Sequence, residues 1–252
     1  MININTSKII SSQKFSRFEM KYILNEKNSK NIQKEIKNFM IYDGFTNLDN
    51  YYFVRSLYFD NRINSNFNEK VDGVRSRHKF RIRTYSKQPN TPIFLEMKGR
   101  ENSRTYKLRQ EIKPEYLNLF YEKKNYFELK KIYPNNELIE KFIFDSFKKN
   151  LSSSVLVDYN RTPFINKSGL YFRLTFDKDI LSTKKNSLFN KDLEKDWKEC
   201  IAGYTILEVK FNSSIPPWFQ RIIQNYQLRL RSISKFVIAS DTQGIASDHE
   251  GK

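Results

Sequence analysis

The stretch Val74-Arg-Ser-Arg-His-Lys-Phe-Arg-Ile-Arg83 sets cations Arg75, Arg77, Lys79, Arg81 and Arg83 between Val74, Ser76, His78, Phe80 and Ile82. Alternation with a period of two belongs to a strand, so one face of that strand carries five positive charges. Other segments repeat the pattern. Tyr171, Arg173, Thr175 and Asp177 share a face opposite Phe172, Leu174 and Phe176, and Lys107, Arg109 and Glu111 alternate with Tyr106, Leu108 and Gln110. The motif Glu-x-Lys recurs inside apolar flanks at Glu19-Met-Lys21, Glu96-Met-Lys98 and Glu208-Val-Lys210, with both charges on one side of a strand.

Alternation ordinarily means an antiparallel sheet with one wet face. Here the charged face is unusually basic and poor in Ser, Thr and Gln. A sheet that curls with its charged faces inward would instead enclose a cationic lumen, and its apolar outer faces would need amphipathic helices as cover. The chain supplies such helices. Ile32, Ile36, Phe39 and Met40 fall at helical spacing in 25–40, and two further patterns lie between Pro114 and Asn150, broken at Pro134-Asn-Asn. Pro216-Pro-Trp218 should open a short helix through Gln227. Further strands are expected at 52–59, 154–159, 169–177, 204–211 and 231–239.

Composition agrees with one folded domain. The 252 residues are only 38% hydrophobic, yet 21 Phe and 15 Tyr provide large side chains to bury. A net charge of +17 calls for anionic partners: nucleic acid, a membrane surface or phosphate compounds. No stretch approaches the roughly 18 apolar residues of a spanning helix, and residues 1–14 lack a long apolar export core, which leads us to expect a soluble, cytoplasmic protein. Cys200 is the single cysteine, so no internal disulfide or thiolate cluster can form. The two histidines are His78, on the apolar side of its strand, and His249, in a polar tail, which argues against histidine-based catalysis. The chemistry must rest on Lys, Arg, Glu and Asp.

These residues resemble the VTC-type polyphosphate polymerase domain of the triphosphate tunnel metalloenzyme superfamily. The resemblance rests on the order of nine motifs: 17–22 (Arg17-Phe-Glu-Met-Lys-Tyr22), 54–60, 69–73, 79–85 (Lys79-Phe-Arg-Ile-Arg-Thr-Tyr85), 94–100, 159–164, 171–177, 206–211 and 233–236. It implies an α+β fold whose centre is an antiparallel β-tunnel, a closed barrel-like sheet of about eight strands with helices packed outside. The implied organisation is an N-terminal tail at 1–16, the tunnel domain at 17–240 and a polar C-terminal tail at 241–252.

The resemblance further implies ATP-dependent polyphosphate synthesis with Mn²⁺ or Mg²⁺. Arg81, Arg83, Arg161, Arg173 and Lys98 would act on the transferring phosphoryl group. Lys21, Lys107, Arg109, Ser234 and Lys235 would bind substrate phosphates, and Glu208 would hold the metal. Glu19 and Glu96 could serve either as metal ligands or as counter-ions. ATP and polyphosphate are the expected partners, together with a separate membrane protein if product crosses a bilayer.

Hydrolytic relatives begin with Glu-x-Glu-x-Lys, whereas Arg17 stands at the first Glu position here, which favours the polymerase branch over a triphosphate or polyphosphate hydrolase. A non-catalytic polyphosphate-binding module would keep the same ligands. A nucleic-acid-binding module would explain the charge, but no helix-turn-helix, zinc-finger or RNP-like motif is present and the cations follow strand spacing, so no specific nucleic acid is expected.

Overall fold

The computed structural model describes residues 18–102, 104–167, 171–189 and 196–245. Arg17, the proposed tail at 1–16, the start of the strand expected at 169 and His249 lie outside the described residues. The strands are β1 (Phe18–Asn25), β2 (Met40–Tyr42), β3 (Tyr52–Asp60), β4 (Ser76–Thr84) and β5 (Ile93–Glu101), followed by β6 (Arg104–Ile112), β7 (Ser152–Asn166), β8 (Phe172–Thr183), β9 (Lys198–Glu199) and β10 (Tyr204–Phe211). The helices are α1 (Glu26–Ile36), α2 (Ser65–Val71), α3 (Tyr126–Ile132), α4 (Glu137–Lys148), α5 (Pro217–Asn225) and α6 (Lys235–Thr242). Short 3₁₀ turns, Pro114–Phe120 and Lys123–Asn125, precede α3.

All ten strands join one antiparallel sheet. Its main path has eight, in the order β1-β10-β8-β7-β3-β4-β5-β6, with β2 and β9 added beside β7 and β8. The sheet curls into a tunnel, but β1 and β6 at the two ends of the path do not pair, so the barrel is not closed by backbone hydrogen bonds as the sequence led us to expect. Side chains span the seam instead: Lys98 on β5 donates to both oxygens of Glu19 on β1, at 3.0 and 3.1 Å. The free edge of β1 is partly covered by the chain before α6, where the Arg231 amide donates to the Lys21 carbonyl at 2.9 Å.

Alternation decides what each face packs against. The outer side chains Phe80, Ile82, Leu95 and Met97 meet Phe120, Leu129, Ile139 and Phe142 of the 3₁₀ turn, α3 and α4. On the opposite flank Tyr22, Leu174, Phe176 and Val209 meet Ile32 and Ile36 of α1 and Phe219 and Ile222 of α5. Full burial of such side chains contributes roughly 1.5–3 kcal/mol each and is the main force holding the sheet in its curl. Gly99 is required by its neighbour: a Cβ there would lie 2.0 Å from the Tyr106 ring on β6.

Two expectations need correction. The helix read across 25–40 stops at Ile36, and Met40 begins β2, which pairs with β7. The strand read at 231–239 is helix α6, because Phe236, Ala239 and Ser240 share one buried face at helical spacing while the β-branched Val237 and Ile238 only resemble a strand locally. Nor does α6 lie outside the sheet. It packs Phe236 and Ala239 against the inward residues Tyr58, Val155, Val157 and Tyr159, filling one side of the tunnel. Packing also runs past residue 240, since the buried Gln243 donates to the Ser182 carbonyl at 2.7 Å.

Candidate functional site

Within the curl lies a chamber of about 560 Å³ lined by side chains from β1, β3–β8, β10 and the start of α6. Eleven of those lining it are Lys or Arg and two, Glu19 and Glu208, are carboxylates. Arg81, Arg83, Lys98, Lys107, Arg109, Arg161, Arg173, Lys21, Ser234, Lys235 and Glu208 all stand on this wall. A second chamber of about 440 Å³ continues it toward α2, sharing Glu19, Lys21, Lys79, Lys98, Thr105 and Ser234 with the first. Arg75 precedes β4 and is exposed, and Arg77 faces only the second chamber, so the row of five cations read from β4 divides between the two ends.

The buried carboxylates organise the wall. Glu96, fully buried, meets Arg81 at 2.7 Å, Arg83 at 3.9 Å and Arg109 at 3.5 Å, and also pairs with Lys107. Burial pushes the Glu96 carboxyl upward, but Arg81, Arg83 and Lys107 outweigh it and hold the group well below the usual carboxylate range. Asp177 takes a two-point bond from Arg161, at 2.6 and 2.8 Å, and pairs with Lys235. Arg83 donates to Ser56 at 3.0 Å and to the Tyr159 hydroxyl at 3.2 Å, and Arg81 donates to the Tyr58 hydroxyl at 3.1 Å. These partners fix the guanidinium forks before any ligand arrives.

Glu19 and Glu208 differ from Glu96. Glu208 meets Lys210 at 2.7 Å and Arg161 at 3.8 Å, and Glu19 meets Lys21 at 2.9 Å. Burial and the neighbouring Glu208 both push the Glu19 carboxyl up, yet Lys98, Lys21 and Lys210 keep it ionised. Burial likewise works against Glu208, whose charge is held by Lys210, Lys21, Arg161 and Lys98. The two carboxylates therefore stand close enough to repel. No group of three His, Cys, Asp or Glu side chains suited to a metal occurs among the described residues.

Cross-strand register shows where positive charge is in surplus. Lys21 lies opposite Glu208, Glu19 opposite Lys210, Arg81 opposite Glu96, and Arg161 opposite Asp177. Lys79, Lys98 and Lys107 instead stand side by side across β4, β5 and β6, and Arg173 stands opposite Lys210. Arg173 also reaches Asp43 at 2.7 Å. Like charges directly opposite each other destabilise a sheet. Burial, offset in part by Glu96, brings the Lys107 ammonium down to about 7.

The sequence reading placed Lys79 and Lys210 on charged strand faces but gave neither a role at the site, although both line the larger chamber. His78 lies 2.6 Å from Asp145 of α4 and edge-on to Phe80, outside the lining of the larger chamber.

The fold is thus a curled antiparallel tunnel with a strongly cationic interior. Residues 16–242 match the VTC domain, and the chain belongs to that family. No curated protein matches its sequence. Among solved structures it is similar to a Bacillus halodurans protein described as a candidate adenylate cyclase: TM-score 0.50, 11% identity, covering 87% of this chain and 96% of that one. A Hippeastrum protein described as a candidate adenylyl cyclase with dominant triphosphatase activity has a TM-score of 0.49 at 10% identity, covering 90% of this chain and 97% of that one. A Pyrococcus horikoshii protein has a TM-score of 0.46 at 12% identity, covering 90% and 99%. No helix among the described residues is long and apolar enough to cross a membrane.

Proposed function

We propose that the protein is a polyphosphate polymerase that moves the terminal phosphoryl group of ATP onto a linear polyphosphate held in the lumen, with Mn²⁺ or Mg²⁺. The observation that carries this reading is the surplus of charge: eleven lining cations of the larger chamber against five carboxylates, Glu19 and Glu208 on its wall and Glu96, Asp177 and Asp43 paired with wall cations, with lysines in register on adjacent strands. A linear phosphate brings negative charge at every unit and would relieve the repulsion along such a row.

Phosphoryl transfer needs little covalent help from a protein, because charge spreads over the equatorial oxygens of a loose transition state and catalysis is positioning plus electrostatics. Arg81, Arg83, Lys98, Arg161 and Arg173 would hold the transferring group. Lys21, Lys107, Arg109, Ser234 and Lys235 would hold the remaining phosphates of donor and acceptor. An oxygen at the chain end attacks the γ-phosphorus, the bond to the ADP oxygen breaks, and ADP leaves.

The donor set fits a hard divalent cation in one way. Two neighbouring carboxylates, Glu208 and Glu19, would share it with substrate oxygens, as is usual for Mg²⁺, and it would neutralise phosphate charge. Glu96, surrounded by four cations, is a counter-ion instead. Movement of product across a bilayer would fall to a separate membrane protein.

The test is incubation with γ-labelled ATP and either metal, followed by gel separation. Label in a long ladder supports the polymerase. Label only in orthophosphate would replace it with a hydrolase, and tight polyphosphate binding without turnover would replace it with a binding module.

A further inference from the structure

The cation left over from the wall's pairing scheme is Lys79. In the row across β4, β5 and β6, Lys98 has Glu19 and Lys107 has Glu96. The Lys79 amine is shielded from solvent and has no hydrogen-bond or ion-pair partner among the described residues; what it meets is the Phe236 ring, 4.6 Å away. It lines both chambers, at the point where they join. An unpaired buried ammonium is costly to a fold.

We propose that Lys79 is a ligand-binding residue at the tunnel waist, left without a counter-ion so that one anionic group of a linear phosphate spanning the two chambers can take that place. This rests on the polyphosphate reading above. The groups facing Lys79 bear out its isolation. Lys98 on β5, Lys21 on β1, Lys70 on α2 and Arg77 on β4 are all cations. The nearby carboxylates are already engaged: Asp60 at the end of β3 accepts from the amides of Asn61, Asn66 and Phe67, while Glu19 and Glu69, which line the second chamber with Lys79, pair with Lys21 and Lys98 and with Lys149. Burial, followed by those four cations, brings the Lys79 ammonium down to about 7. Above that pH much of the free protein lacks this proton. An arriving anion raises the group's proton affinity, so binding takes a proton up from solvent, and below about pH 6 the uptake vanishes.

The test is calorimetric titration of the full chain with medium-chain sodium polyphosphate at about pH 8, in two buffers of different ionisation enthalpy. The unmutated protein is expected to bind with more proton uptake than Lys79→Gln, which binds about tenfold more weakly. Lys79→Arg should keep the affinity and lose the same share of uptake. Equal affinity and equal uptake in Lys79→Gln would overturn the role of Lys79 alone. Absence of binding by the unmutated protein would overturn this inference and the polyphosphate reading together.

Discussion

Glu96 on β5 and Glu208 on β10 occupy the same place in the same three-residue motif, and both are buried and held ionised by cations, yet they differ in whether a second carboxylate stands beside them. Glu96 has four cations around it and no carboxylate in the group. Glu208 faces a second carboxylate, Glu19, and shares lysines with it. The first arrangement is closed by the protein itself. The second sets two carboxylates side by side among Lys21, Lys98, Lys210 and Arg161, where a divalent cation and its phosphate ligands would complete it. A local motif thus does two jobs, set by which strands lie beside it.

The sharpest way to break this comparison is to neutralise each carboxylate in turn. Glu96→Gln leaves four cations without their shared counter-ion and should cost about 3–5 kcal/mol of stability, read from denaturant unfolding. Those cations, which outweigh its burial, also set the acid response. The folded-state value is depressed, so the stabilisation is present above the ordinary carboxylate range and is lost only as pH falls through the lowered value. Unchanged stability in Glu96→Gln would remove its role as a counter-ion. Glu208→Gln should instead fold, lose clearly less stability than Glu96→Gln, and lose about a hundredfold or more in labelled-phosphate transfer. Equal losses of stability in the two variants would erase the distinction.

A smaller effect sharpens the contrast between paired and unpaired lysines. Lys107 and Lys79 are both brought to about 7, so each loses its charge as pH rises through that value. Affinity for linear phosphate should therefore fall by about tenfold between neutral and mildly alkaline pH, measured by calorimetry. A flat profile would mean that neither amine meets the ligand. The smallest effect concerns ligand-free stability: Lys79→Met removes an unpaired buried ammonium and should raise stability by about 1 kcal/mol while weakening phosphate binding. Loss of stability in that variant would show that Lys79 has a structural partner.

Much of this arrangement could be read from short stretches. The alternation in β4 and β8 assigns inward cations and outward apolar residues correctly, and β10 runs over the residues read for it, Tyr204–Phe211. What local pattern could not supply was tertiary. Ile233, Val237 and Ile238 read as a strand, but the inner face of β3 and β7 accepts Phe236 and Ala239 at helical spacing, and α6 results. Glu96 and Glu208 looked alike because their neighbours come from other strands, such as Lys98 meeting a Glu19 that lies 79 positions away. Lys79 was visible as one cation of five, whereas its lack of a partner follows from where Glu19 and Glu96 spend their oxygens.

Thermal melting of the unmutated protein, titrated with linear tripolyphosphate and in parallel with double-stranded DNA at equal phosphate concentration, tests the lumen most directly. A ligand that binds only the folded state raises the midpoint in proportion to the logarithm of its concentration. The account predicts a steady rise with tripolyphosphate and little with the duplex, which cannot enter a chamber of about 560 Å³. A flat response to tripolyphosphate, or a larger rise with DNA, would contradict it.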